Sequence, residues 1–232
     1  MFHFKQFSLS DEKSAMKIGM DAVLLGAWAN LPVSGNILDI GTGTGIIALM
    51  MAQRCNALID AVEINKDAAD EAIENVTLSP WAGRVKIYHS PIQSFAKDSS
   101  SAYELILCNP PFFSKSLKSP LENRNAARHN DLLPLNELMQ SIQQMLAPTG
   151  RFAIIIPSGL INSWINSAAS FGLNFSRSVA VISRQGKEAN RHLVEFQYDK
   201  SEFEESVLII RDMEGRYSEE YKRLTFDFYL GL

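Results

Sequence analysis

The sequence predicts a doubly wound α/β fold, with a mostly parallel sheet of seven strands and an antiparallel strand at its edge. Three observations carry that expectation. Short apolar runs alternate with helical patterns from residue 36 onward. Most of these runs are continuously apolar, as strands covered on both faces must be. The first run ends in a glycine-rich turn that leads directly into a helix, as at the carboxyl edge of such a sheet.

The elements can be justified in chain order. Residues 1–35 are a preface, in which "FHFKQFSL" alternates, with Phe2 and Phe4 on one parity, and suits a short hairpin strand. "DAVLLGAWA", Asp21 to Ala29, has a packed apolar face and reads as a helix, which "LPVSG" breaks. "NILDI", Asn36 to Ile40, is the first core strand, and "GIIALMMAQR" is the helix after it. "ALIDAVEI", Ala57 to Ile64, is the second strand. In "KDAADEAIENVTLS", Ala68, Ala72, Ile73 and Val76 recur at helical spacing. "RVKIYH" and "YELILC" are the third and fourth strands. "LLPLNELMQSIQQMLA" is a helix ended by Pro148 and Gly150, and "RFAIIIP" is the fifth strand. In the tail, "NFSRSVAVIS" and "RHLVEFQYD" flank a polar loop and suit an antiparallel pair at the sheet edge. A short "SVLIIRD" strand follows, then the helix "SEEYKRLTFDFYL", whose Glu219 and Glu220 suit the helix dipole. The expected organisation is one domain over 1–232, with an N-terminal extension (1–35), a core (36–199) and a C-terminal strand and helix (200–232).

Composition narrows the function classes. The chain has 232 residues, 46% of them hydrophobic, which is enough for one full core. A net charge of −4 argues against general affinity for nucleic acid, so any such binding needs a local patch. Cys55 and Cys108 are far apart, with no CxxC and no clustered histidines, so neither a disulfide framework nor a metal site is expected. A reducing cytoplasm fits that usage. The N-terminus lacks the apolar run of a signal peptide. No window approaches the roughly 18 uninterrupted apolar residues of a membrane span.

The first chemical constellation is "LDIGTGTGIIA". Gly41, Gly43 and Gly45 lie between strand and helix, where glycines permit positive φ and let a ligand lie against bare backbone. Asp39 ends the first strand and can hold the loop or reach a ligand through water. Glu63 ends the next strand, where a carboxylate can accept both hydroxyls of a ribose. "GTGIIA" matches the dinucleotide pattern G-x-G-x-x-G/A, with an acid about 20 residues on. Its first glycine, however, falls beyond the strand end. The register starting from Asp39, D-x-G-x-G-x-G, fits more tightly and is the signature of S-adenosylmethionine methyltransferases. This turn alone leaves both ligands open.

"NPPF", Asn109 to Phe112, decides between them. It follows the fourth strand, which in a doubly wound sheet neighbours the first across the switch point where ligands bind. The exocyclic nitrogen of adenine is a poor nucleophile, because its lone pair is delocalised into the ring. The Asn109 side-chain carbonyl can accept one of its N–H groups and the Pro110 carbonyl the other, which orients the nitrogen toward a methyl donor. Pro110 and Pro111 hold that backbone in one shape, and Phe112 offers a flat face for the base. Between Pro111 and Asn130, Lys115, Lys118, Arg124 and Arg128 face one acid, Glu122. With Phe112 and Phe113 they make a basic, aromatic surface suited to a splayed-out base and its phosphates. Arg184, Lys187 and Arg191 in the tail hairpin are a weaker nucleic-acid candidate.

"LDIGTGTG", "AVEIN" and "NPPF", in this order, resemble the class I N6-adenine methyltransferases. "FKQFSLSDEKSAMKIGMDAVLLGAWA", "SPWAGRV" and "YSEEYKRLTFDFYL" are similar to the bacterial branch that methylates the adenine beside the anticodon of valine tRNA. The resemblance spans nearly the whole chain. It implies a Rossmann-like methyltransferase sheet and the donor S-adenosyl-L-methionine, with S-adenosyl-L-homocysteine as product. It implies a cofactor site at Lys17, Asp21, Asp39, Gly41, Gly43, Gly45, Glu63, Ile64, Ile92 and Asn109, and a catalytic tetrad at Asn109, Pro110, Pro111 and Phe112. A tRNA partner at Phe112, Phe113, Lys115, Lys118, Arg124 and Arg128 is expected, from a cytoplasmic monomer without metal. Three positions depart from the family. Phe112 stands where Tyr is commoner, Met20 where Thr is frequent, and Pro91 where an Asp is usual. Rival readings are a protein-glutamine N5-methyltransferase, which shares the NPP-aromatic tetrad, an adenine N6-methyltransferase acting on another nucleic acid such as DNA or ribosomal RNA, an NAD-dependent oxidoreductase and a cofactor-binding protein without activity.

Overall fold

The computed structural model describes residues 1–14, 17–110 and 134–231. The preface pairs β1 (Phe2–His3) with β2 (Ser8–Leu9) and continues into α1 (Met20–Trp28). The core then runs β3 (Asn36–Ile40), α2 (Ile46–Arg54), β4 (Leu58–Glu63), α3 (Lys66–Thr77), β5 (Val85–His89), α4 (Ile92–Asp98) and β6 (Tyr103–Cys108). It resumes with α5 (Leu135–Met145), β7 (Leu146–Pro157) and α6 (Ile161–Ser170). The tail contributes β8 (Asn174–Ile182), β9 (Arg191–Gln197), β10 (Glu204–Ile209) and α7 (Glu219–Thr225).

The main sheet has the order β10-β8-β9-β7-β6-β3-β4-β5. Every neighbouring pair is parallel except those made by β9, which runs antiparallel to both β7 and β8. The doubly wound class therefore holds, with two corrections. Among the described residues the sheet has eight strands rather than seven, because the "SVLIIRD" segment adds outside β8 in register, Glu204 opposite Arg177 through Ile209 opposite Ile182. The antiparallel strand is consequently interior, since both sides of β9 find partners and the edges are β10 and β5.

Strand alternation divides the core between the two sheet faces. Leu105 and Leu107 of β6 point to one face, with Ile37, Ala153, Ile155 and Leu193, under α1, α2 and α7. Ile106 and Cys108 point to the other, with Leu38, Phe152, Ile154 and Phe196, under α4, α5 and α6. The tryptophans serve packing. Trp164 is buried against Phe152, Trp81 meets the edge of Phe7, and Trp28 lies under the Arg177 guanidinium, 3.9 Å from its ring centre. The N- and C-terminal segments meet in an aromatic cluster. Phe4 stacks on Phe7 at 4.7 Å and on Tyr229 at 5.9 Å, and the Lys5 N–H donates to the Phe228 carbonyl at 2.8 Å.

A polar latch holds the rest of the preface to α3. Glu71 is fully buried, and its carboxylate accepts from the N–H groups of Lys13 (3.0 Å) and Ser14 (2.8 Å) and from the Ser10 hydroxyl (3.0 Å). Burial pushes this carboxyl up, but the N–H groups and the hydroxyl outweigh it and hold its pKa below the ordinary value. One turn on, the Asn75 side chain accepts from the Ser10 N–H at 2.8 Å and donates to the Ser10 carbonyl at 2.9 Å. The same amide donates to the Thr44 carbonyl at 2.9 Å. Asn75 thus joins the preface, α3 and the glycine turn.

Asn75→Ala leaves the part-buried backbone groups of Ser10 and the buried Thr44 carbonyl without their partner, an expected cost of about 1–3 kcal/mol. Urea denaturation should show that loss, and limited proteolysis should cut within residues 1–14 faster than in the parent. Unchanged stability together with unchanged cleavage would show that the latch does not hold the preface.

Candidate active site

The site forms where the chain changes direction across the sheet. β3 pairs with β4 on one side and β6 on the other, with Asp39 opposite Ala61 and Leu107. The helix leaving β3, α2, packs on one face of the sheet, whereas α5, the next described helix after β6, packs on the other. With these helices on opposite faces, the ends of β3 and β6 are where a crevice is expected in such a sheet. A cleft of about 350 Å³ occupies that place, within the range of small-ligand sites. One wall is the preface, with Lys17, Met20 and Asp21. Its floor is Gly41 to Thr44 with Ile46 and Ile47 of α2. Asn109 and Pro110 close it beyond β6, and Arg191, the first residue of β9, completes it.

The glycine turn is held by the neighbouring strand. The N–H groups of Gly41 and Thr42 donate to the Val62 carbonyl, at 2.8 and 3.1 Å. Gly41 and Gly43 have φ of 69° and 57°, and a Cβ at either would meet nothing within 4 Å. Their glycines serve the left-handed backbone and leave open space at the cleft floor. Gly45 differs. It lies outside the cleft lining, and a Cβ there would stand 3.5 Å from the Ala72 Cβ of α3. That is an ordinary van der Waals contact, so the glycine there serves its left-handed backbone, at a φ of 84°.

Two carboxylates support the turn. Each oxygen of Glu63 accepts one N–H, from Gly43 at 2.9 Å and from Asn65 at 2.8 Å. Asp39 is fully buried, and its Oδ2 accepts from the Thr42 hydroxyl at 2.6 Å. Its Oδ1 is buried with no hydrogen-bond partner among the described residues. Burial therefore pushes the Asp39 pKa up to about 7, against the lowering effect of Thr42 and the Ala48 N–H, and the Glu63 charge adds to the rise. Next to Asn109, burial drives the Cys108 thiol far up, with Asp39 and Glu63 adding to it, so Cys108 is no thiolate nucleophile.

The structure brings together Lys17, Asp21, Gly41, Gly43, Asn109 and Pro110 on one cleft. Asp39, Gly45 and Glu63 support its floor from beneath or beside it. Ile64 is exposed just beyond β4, and Ile92 packs into the core with Val62 and Ala96. Pro111, Phe112, Phe113, Lys115, Lys118, Arg124 and Arg128 lie outside the described residues. Arg191 is the participant that sequence reading assigned elsewhere. Its Nε donates to Asp21 Oδ2 at 2.9 Å, across 170 residues of chain. No local motif announces that contact; only the direction of β9 could have found it. Among the described residues, no group of three or more His, Cys, Asp or Glu side chains could hold a metal ion. No helix among them is long and apolar enough to cross a membrane.

Residues 17–165 match the methyltransferase small domain. The chain is 44% identical to the tRNA1(Val) (adenine(37)-N6)-methyltransferase of Bacteroides fragilis over 230 residues, 99% of this chain and 97% of that one. It is 40% identical to the protein of the same name from Flavobacterium psychrophilum, over 99% of both chains. Among solved structures, a predicted O-methyltransferase from Agrobacterium tumefaciens superposes with a TM-score of 0.71 at 16% identity, covering 90% of this chain and 96% of the other. That likeness concerns the fold.

Asp39 makes the stability of the free protein depend on pH. An acid whose folded pKa lies above its unfolded value, here about 7 against 3.8, takes up protons on folding. The free protein should therefore lose stability as pH rises from about 4 to about 7. Asp39→Asn should flatten this slope in urea denaturation, and an identical slope in both proteins would overturn the assignment.

Proposed function

The chain belongs to the methyltransferase small-domain family, together with the tRNA1(Val) (adenine(37)-N6)-methyltransferases, and on that premise we propose that it methylates N6 of adenine 37 in valine tRNA, with S-adenosylmethionine as donor. The observation that carries this reading is the shared cleft. Asn109 and Pro110 stand on the same 350 Å³ space as Gly41 and Gly43.

The cleft residues fit such a donor. Gly41 and Gly43 present bare backbone where side chains would fill the floor. Glu63 already accepts one N–H on each oxygen, and each oxygen retains a lone pair for a ribose hydroxyl. Lys17 and Asp21 offer one charge of each sign on the opposite wall. S-adenosylmethionine supplies a sulfonium methyl, an electrophile that needs only an oriented lone pair.

The chain's own residues supply that orientation. The Asn109 side-chain oxygen and the Pro110 carbonyl accept the two N–H groups of the adenine amine, leaving the nitrogen lone pair directed into the cleft. As the new C–N bond forms and the methyl–sulfur bond breaks, with S-adenosylhomocysteine as the leaving thioether, positive charge builds on N6 and the two acceptors stabilise it. N6 then loses a proton to solvent, without help from a strong base. Asp39 is buried beneath the turn and Cys108 remains a thiol, so neither competes for that part. Phe112 and Phe113 stack the base in this reading, and Lys115, Lys118, Arg124 and Arg128 meet its phosphates.

The test is nucleoside mass spectrometry of valine tRNA from cells with and without the gene. N6-methyladenine should vanish from valine tRNA with the gene and return with the wild-type protein. Its persistence would overturn the substrate assignment. Asn109→Ala should lower kcat on a valine tRNA transcript by about 100-fold or more in a folded protein. Undiminished kcat would remove Asn109 from the chemistry.

A further inference from the structure

We propose that Arg191 binds the donor's carboxylate, completing with Lys17 and Asp21 a clamp for its zwitterionic amino-acid end. This deepens the methyltransferase reading and rests on it. Its first support is strand direction. β9 is antiparallel to β7, with Arg191 opposite Pro157, the last residue of β7. Reversal thus delivers the first residue of β9 to the edge where the parallel strands end. In sheet order that edge presents Glu63 of β4, the glycine turn after β3, Asn109 after β6, and then Arg191. A ligand whose ribose lies at Glu63 directs its other end toward Asn109 and Arg191.

The second support is charge. The amino-acid end carries one carboxylate and one ammonium, and this wall carries two cations and one carboxylate. Lys17 Nζ donates to the backbone carbonyls of Asp11 and Glu12, which leave its charge unneutralised. Arg191 Nε donates to Asp21 Oδ2 at 2.9 Å and its Nη1 to the Asn190 carbonyl at 3.0 Å. Nη2 has no partner among the described residues, nor has Asp21 Oδ1. The ion pair therefore orients the guanidinium and leaves one donor arm and one acceptor oxygen for a ligand. Both side chains are about one-third exposed, at 33% and 31%, as an open cleft wall requires.

The competing role for Arg191 is a pin between β9 and α1. Calorimetry with two ligands separates the roles. S-adenosylhomocysteine has the amino-acid end; 5′-deoxy-5′-methylthioadenosine has the same nucleoside and thioether without it. Arg191→Gln should weaken S-adenosylhomocysteine by about 10- to 100-fold, while methylthioadenosine changes less than about twofold. Arg191→Lys should recover part of the loss. Equal weakening of both ligands would make Arg191 a structural pin and overturn the proposal. Unchanged S-adenosylhomocysteine affinity would also overturn it, including where valine tRNA binding falls, which would return Arg191 to an RNA role. A ligand-side cut needs no variant. The wild-type protein should prefer S-adenosylhomocysteine over its decarboxylated counterpart by about tenfold or more, and a preference below twofold overturns the proposal. Wild-type protein that binds neither adenosyl ligand overturns the methyltransferase reading itself, a result distinct from these.

Discussion

Everything at the site depends on the parallel pairing of β3 with β6. These strands are far apart in sequence, yet Ile40 lies opposite Cys108 at the ends of both. The pairing places the glycine turn and Asn109 on adjacent ends of one sheet. It also suits the cleft between them, because α2 and α5, the next described helices after β3 and β6, pack on opposite faces. A slip of one residue would turn Leu107 and Cys108 to the wrong faces, into cores already filled. The two hydrophobic clusters thus set the register, and the register sets the distance between the glycine turn and Asn109.

The cleft floor is largely organised before any ligand arrives. The turn is tied to Val62 by Gly41 and Thr42, to Glu63 by Gly43 and to Asn75 by Thr44. These ties come from the neighbouring strand and from α3, not from the turn itself. Backbone entropy that would otherwise be lost on binding is lost on folding, where core burial offsets it. The wall differs from the floor. It is built from the preface, held by polar contacts to Glu71 and Asn75 and by one ion pair to Arg191.

How much could be read from the sequence followed the range of the interactions. Asn36–Ile40 and Tyr103–Cys108 were legible to the residue, because continuous apolar runs ended in Gly or Pro. Gly41, Gly43 and Asn109 were legible because a strand end puts its next residues at the sheet edge. α4 and α6 passed unseen. The first spans only seven residues, and the second buries only Trp164 and Ala168, too thin a stripe to set a period. The place of β9 between β7 and β8 was missed because hairpin patterning gives pairing but not which strand lies outside. For the same reason Arg191 read as a loop charge rather than a cleft residue. Its partner Asp21 is 170 residues away, and nothing local encodes that meeting.

The aromatic cluster joining Phe4 and Lys5 to Phe228 and Tyr229 ties together segments more than 220 residues apart. The apolar seat of Phe4 is shared between its own hairpin, through Phe2 and Phe7, and the segment after α7. The polar contacts of Ser10 and Ser14 with α3 and the Phe7–Trp81 contact hold the same hairpin from the other side. The two segments are thus one packing unit, and shortening either would uncover apolar rings of the other.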